Sequence, residues 1–311
     1  MTRFDETSTT DDVLDGVDLT GSTILVTGAS AGLGVETARA LTAHGARVVT
    51  GVRDPDKAAT NLTATGVDLD RMDIRPLDLS SLASVREFTD GVARDLDHLN
   101  VLIANAGVMA CPEGRTADGF ETQFGTNHLG HFVLVNRLRP LLGDGGRIVN
   151  LTSAGHRFGD VDLDDPFFDR TPYDPWIAYG RSKTANVLFA VELDRRGKDA
   201  GVRAAAVHPG GIMTELGRHL TEETTQALLA ARGERKMSWK TIPQGAATSV
   251  WTAVVADADE IGGRYCEDCA VSPVIDDPVT MPGVMPYALD AERAQALWAR
   301  SEELVGERFT G

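Results

Sequence analysis

From residue 22 the chain alternates short apolar, β-branched runs with stretches whose apolar positions recur at helical spacing. STILVT (22–27) reads as a strand, LGVETARALTAH (33–44) as an amphipathic helix and ARVVTG (46–51) as the next strand. After a helical stretch comes the strand MDIRPLDL (72–79), then the helix SVREFTDGVARDL (84–96) and the strand NVLIANAG (100–107). One long helical pattern covers roughly 116–142. GRIVNLTS (146–153) is a strand, 176–199 a helix, VRAAAVHPG (202–210) a strand, and GRYCE (263–267) a last strand. Strands that are apolar almost throughout, separated by helices, imply a parallel sheet covered on both faces. The expected fold class is α/β: one doubly wound domain over residues 19–311, behind a polar leader (1–18) expected to be mobile. No Pro/Gly/Ser-rich linker, internal repeat or low-complexity region divides the pattern.

Two stretches break the alternation. Residues 155–175, GHRFGDVDLDDPFFDRTPYDP, are long for a strand-to-helix connection, and 211–242 follow the strand ending His208-Pro209-Gly210. Loops at the carboxyl ends of parallel strands are where ligands bind in such sheets. Phe158, Phe167, Phe168, Tyr173 and Trp176 crowd the first stretch, either lining an apolar pocket or packing the loop down. The C-terminal part, PVTMPGVMPYALD (278–290) and the helical AERAQALWARSEELV (291–305), either caps that pocket or joins an interface.

Charge narrows the classes of partner. The net charge is −16, with 46 acidic against 30 basic residues, which argues against nucleic acid and against an anionic membrane surface. No apolar run approaches the roughly 20 residues that span a bilayer, and no targeting segment opens the chain, so a cytoplasmic location is expected. The three cysteines, Cys111, Cys266 and Cys269, are too few for a disulfide scaffold. A lone Cys266-x-x-Cys269 cannot complete a structural zinc site and reads as buried thiols or a redox pair. The histidines show no ligand spacing beyond His128 and His131, read as structural, so no metal is expected.

The chemistry is in short motifs. Gly28-Ala29-Ser30-Ala31-Gly32-Leu33-Gly34 lies between a strand and a helix, where glycines allow a tight turn and a helix N-terminus presents free N–H groups to a pyrophosphate. An acidic residue at the tip of the second strand would hold the ribose hydroxyls of NAD. Val52 and Arg53 stand there instead, and Arg53 offers a charge-assisted pair to a 2′-phosphate, favouring NADP, with NAD left open. Tyr179 and Lys183 lie four apart in a predicted helix and so share a face. A phenol titrates near 10, and a neighbouring ammonium lowers that value, which makes the pair a proton-transfer device. Ser153 ends a strand on the same side of the sheet. Asn127 interrupts a helical pattern that it disfavours.

These motifs, with Asn105-Ala106-Gly107, follow the order of the short-chain dehydrogenase/reductase family over about residues 20–270, a Rossmann fold. DGFETQFGTNHLGHF (118–132), the wide gap from Ser153 to Tyr179 and YGRSKTANVLF (179–189) resemble the retinol dehydrogenase and WW-domain oxidoreductase branch. The resemblance implies Tyr179 as general acid/base and Lys183 lowering its pKa and binding the nicotinamide ribose. It implies Ser153 orienting the substrate oxygen and Asn127 holding a water that leads protons from Lys183. Asn105, Ala106 and Gly107 would wall the adenosine side, with Asp78 and Leu79 near the adenine. Pro209, Gly210, Ile212 and Thr214 would contact the carboxamide and phosphates, with a mobile lid beyond. The implied reaction is alcohol–carbonyl interconversion on a small-molecule substrate, apolar or aromatic, in a homodimer or homotetramer. A C=C reductase, an NAD-linked alcohol dehydrogenase and a catalytically silent dinucleotide sensor stand as alternatives.

Overall fold

The computed structural model describes residues 4–226 and 239–310. Its strands are β1 Thr23–Thr27, β2 Arg47–Val52, β3 Met72–Pro76, β4 Leu99–Ala104, β5 Leu142–Leu151, β6 Arg203–Val207, β7 Gly211–Ile212, β8 Trp239–Lys240, β9 Tyr265–Glu267 and β10 Ala270–Val271. Eight of them form a central sheet in the order β3-β2-β1-β4-β5-β6-β9-β10. All pair in parallel there except β10, which turns back against β9. The short β7 and β8 pair in a separate parallel ladder. The strand order reverses between β1 and β4, so their carboxyl ends splay apart and open a crevice there.

Alternate strand residues feed two cores. Ile24, Val26, Val48 and Val149 face one layer, with α1 (Thr10–Leu14), α2 (Gly32–Ala43) and α3 (Pro55–Ala64). Leu25, Val49, Leu102 and Ile148 face the other, where α4 (Leu82–Asp95), α5 (residues 122–138) and α6 (Pro175–Gly197) pack. The helix α7 (Ile242–Val250) closes the first layer and α8 (Ala291–Val305) the second. The apolar pattern does not announce α7: Gly245 to Val250 are small and all buried, so no amphipathic period marks them.

Three expectations are revised. The long helix over 116–142 begins only at Thr122, because residues 115–121 form a tight turn through Gly119 and the buried Glu121 carboxylate caps the helix. Inside α5, Gly125–Leu129 is a π-helical turn, and it carries Asn127. The polar leader is packed: Phe4, Val13 and Leu14 are buried, Thr9 and Asp12 form a capping box, and Arg39 pairs with Asp11 at 2.7 Å. Of the 211–242 stretch, 227–238 lie outside the described residues.

All three cysteines are buried and free, and burial pushes each thiol up. Asp268 and Cys269 are the two left-handed turn residues of the β9–β10 hairpin, so the Cys-x-x-Cys spacing is a hairpin feature. His128 is hydrogen bonded through Nε2 to Ser301 Oγ (2.8 Å), tying α5 to the C-terminal helix. Among the described residues no three His, Cys, Asp or Glu side chains gather as metal ligands, and no helix is long and apolar enough to cross a membrane.

Candidate active site

The crevice at the switch point is a cleft of about 2150 Å³. One end is built by the turn after β1. The helix α2 has Ala31 at its N-cap and no side-chain cap, which leaves its first N–H groups without partners from a capping side chain. Gly34 admits no side chain, since a Cβ there would fall 2.3 Å from the Gly28 carbonyl oxygen. The turn is braced from behind. Asn61 Nδ2 donates to Ser30 O (2.7 Å), and Asn105 Nδ2 donates to Thr27 O (2.8 Å). Gly28, Ser30, Ala31, Gly32, Leu33 and Gly34 all line the cleft.

Arg53 lies exposed at the tip of β2, on the cleft wall. Its neighbour Asp54 caps α3 by accepting from Lys57 N (2.9 Å), so that carboxylate is committed to the helix. Asp78, whose Oδ1 accepts from Ser80 N and Oγ, lines the same end with Leu79, Asn105, Ala106 and Gly107. Pro209, Gly210, Ile212 and Thr214 also line the cleft, with Thr214 set against Gly32 of the turn. A cradle of open N–H groups, tolerating no Cβ at Gly34 and flanked by Arg53, fits a dinucleotide pyrophosphate and ribose.

At the other end Ser153, Tyr179 and Lys183 converge. Ser153 lies beside the Tyr179 phenol and acts to lower its pKa, and Ser153 Oγ accepts from Gly155 N (3.0 Å). A Cβ at Gly155 would stand 2.6 Å from the Tyr179 ring, so the absence of a side chain there lets the ring seat. Lys183 is 4% exposed, and its Nζ donates to Leu151 O (3.1 Å) and stands 5.8 Å from the Tyr179 ring centroid. The expected lowering of the phenol is not what this geometry gives. Burial pushes Tyr179 up to about 12, only partly offset by Ser153, and pushes Lys183 down to about 8. At nearly 6 Å, with its proton directed to a carbonyl, the ammonium is outweighed by desolvation.

Asn127 is the one expected site residue not on the cleft wall. It is fully buried behind it. Its Oδ1 accepts from Val108 N (2.8 Å), and its Nδ2 donates to Val108 O and Ser182 Oγ (2.9 Å each). Its carbonyl receives His131 Nδ1 (3.0 Å), because a carbonyl can only accept. His131 Nε2 is then the acceptor for the Thr27 hydroxyl (2.9 Å), and Thr27 Oγ1 takes the Ala106 N–H (3.0 Å). One buried chain thus joins the phosphate turn, the 105–108 loop and α5.

Of the crowded aromatics, Phe158 and Trp176 line the cleft and pack edge-on (5.6 Å) beside Tyr179. Phe167 packs on Phe120 and Phe124, Phe168 lies under Arg181, and the Tyr173 hydroxyl donates to Cys111 O. Arg157, Lys240, Asp268 and the 278–282 stretch also reach the cleft, without a sequence motif to mark them. Lys240 pairs with Asp268 at 2.5 Å.

A family model described as short chain dehydrogenase matches residues 22–225. A "Probable oxidoreductase" of Streptomyces lividans is 43% identical over 291 residues, 91% of this chain and 97% of that one. Retinol dehydrogenase 14 of Mus musculus is 40% identical over 303 residues, 92% of this chain and 86% of that one. The crystal structure of an uncharacterized Mycobacterium paratuberculosis protein matches with a TM-score of 0.74 at 36% identity, covering 94% of this chain and 97% of the other. With a phosphate-turn end and a Ser/Tyr/Lys end in one cleft, and relatives of this closeness over nearly its whole length, the chain belongs to the short-chain dehydrogenase/reductase family of NAD(P)-dependent oxidoreductases.

Proposed function

We propose that the protein is an NADP(H)-dependent oxidoreductase that interconverts an alcohol and a carbonyl on an apolar small molecule. The observation that carries this reading is the convergence of Ser153, Tyr179 and the buried Lys183 on the same cleft that the open N-terminus of α2 lines.

The residues divide the work by position. Gly28 to Gly34 and the first N–H groups of α2 hold the pyrophosphate, Arg53 the 2′-phosphate, Asp78 and Leu79 the adenine side, and Asn105 to Gly107 the adenosine wall. Pro209, Gly210, Ile212 and Thr214 contact the carboxamide and the phosphates. When bound, the nicotinamide supplies or receives the hydride. Ser153 holds the substrate oxygen against Tyr179. In reduction the Tyr179 hydroxyl gives that oxygen its proton, and in oxidation the phenolate takes it back. A phenol held near 12 stays protonated at neutral pH, which keeps it ready to protonate a carbonyl oxygen as that oxygen gains charge. Lys183, lowered to about 8, exchanges a proton readily near neutral pH and so reloads the site. Asn127 works from behind the wall, fixing the 105–108 loop through Val108.

The test is a fluorescence titration with NADPH and NADH of wild type and Arg53→Ala. NADPH should bind at least tenfold or so tighter, since a charge-assisted hydrogen bond is worth about 1.5–3 kcal/mol, and the variant should lose that preference. NADPH should then support reduction in a panel of aldehydes and ketones. Equal binding of NADH would assign the enzyme to NAD, and binding of neither would remove the mechanism altogether.

A further inference from the structure

The stretch 278–283 takes no part in the proton chemistry, yet Pro278, Val279, Met281 and Pro282 form one wall of the cleft. Val279 and Met281 present apolar side chains that are 48% and 50% exposed. Met213, 76% exposed, and the Phe158–Trp176 pair line the same cleft. Single exposed apolar residues need no explanation, but several converging in a cleft that ends at a proton donor form a ligand surface.

This strap is fastened at its C-terminal end, to β9 and to the segment that carries Ser153. Gly283 N donates to the buried Glu267 carboxylate (2.6 Å), and Arg157 donates to Gly283 O. Met285 N donates to His156 Nε2 (3.1 Å), and the Tyr287 hydroxyl donates to His156 O (2.8 Å). Because Nε2 accepts, the neutral His156 carries its proton on Nδ1, which donates to Ser153 O (2.8 Å). One imidazole therefore sets the strap at a fixed distance from the catalytic serine. The Arg157 guanidinium beside the strap is engaged on Gly283 O and on Met281 Sδ, and the face that Pro278, Val279, Met281 and Pro282 turn to the cleft is apolar.

We propose that residues 278–283 form the substrate-tail subsite, which takes an uncharged hydrocarbon tail while the oxygen-bearing carbon sits at Ser153 and Tyr179. The placement of the oxygen rests on the proposed function; the tail contact is tested by binding alone. Calorimetric titration with linear primary alcohols from butanol to decanol should show affinity rising by about fourfold per methylene, the factor expected for burying each group. Met281→Lys and Val279→Lys, both at half-exposed positions, should flatten that rise. Met281→Leu should keep it, and NADPH affinity should stay unchanged in all three. No rise with chain length in wild type, no binding of any alcohol, or a rise that the lysine variants leave intact would overturn the subsite. Loss of NADPH binding in wild type would instead overturn the proposed function, so the two failures read differently.

Discussion

Asn127 and Val108 exchange two hydrogen bonds, the asparagine carboxamide pairing with the backbone N–H and C=O of Val108 as a neighbouring strand would. The same Nδ2 also donates to Ser182 Oγ, one residue from Lys183. Replacing Asn127 with Ala strands these partners behind the cleft. Stability should fall by about 2–4 kcal/mol, as expected when buried polar groups lose their partners. Turnover should fall with it, because the 105–108 loop on the cleft wall is released. Urea denaturation checks the first effect and steady-state kinetics the second; a variant as stable as wild type would contradict the bracing role.

The strand–helix alternation was readable because parallel strands buried on both faces are apolar nearly throughout, as in Thr23–Thr27 and Arg203–Val207. The phosphate turn and the Tyr179–Lys183 spacing were readable for a related reason: both are local in sequence. What escaped is non-local or uniform. Ala246, Ala247 and Ser249 are buried on every side, so α7 carries no periodic signal. Arg157 and His156 act through backbone atoms of Gly283 and Met285, more than a hundred residues away, and no side-chain motif records such a clamp. Asn127 was found for its awkward place in a helix. Its use was not, because the π-helical turn that aims it at Val108 is absent from the pattern.

Lys183 imposes a cost that titration can expose. Its folded value, about 8, lies below the ordinary 10.5, so between those pH values the unfolded chain holds more protons than the native one. Wild-type stability should therefore rise with pH across that window. Relative to Lys183→Met the gain should approach about 3 kcal/mol, at roughly 1.4 kcal/mol for each pH unit that separates the folded and unfolded values. Denaturation midpoints of both proteins at pH 7 and pH 10 measure it, and parallel curves would refute it. The same variant, and Tyr179→Phe, should lose about 10²–10⁴-fold in kcat/KM, the usual worth of a positioned proton donor.

Three buried histidines predict acid lability. Burial lowers His128 to about 3 and His131 and His156 to about 4, from 6.5. As pH drops below 6.5, the unfolded chain takes up three protons that the native fold refuses, and stability falls by up to about 4 kcal/mol per pH unit. Glu121 and Glu267, raised by burial, offset part of this by protonating earlier in the native state. Urea midpoints between pH 7 and pH 4 should decline steeply. His128→Gln should remove about 1.4 kcal/mol per pH unit from the slope; an unchanged slope would mean that His128 is protonated in the native protein.

The N-terminal segment looks dispensable by composition, being polar and acidic, and its few apolar residues decide otherwise. Val13 and Leu14 are 1% and 0% exposed and belong to the core shared with α2 and α7. Around them Thr10 donates to the buried Glu36, Glu36 accepts from Arg39 (2.8 Å), and Gln244 Nε2 donates to Thr7 O (3.1 Å). Phe4 is buried, and it lines the cleft with Asp5 and Glu6. Removing residues 1–16 would leave Glu36 with one partner fewer and bare an apolar strip between two helices. Leu14→Ala alone should cost about 2–5 kcal/mol, the range for emptying a buried leucine site. The truncated chain should unfold at lower urea and expose surface that binds a hydrophobic dye, while Asp15→Ala, at an exposed position of the same segment, should change neither. A truncation that leaves the urea midpoint in place would show that these contacts add nothing to the native fold.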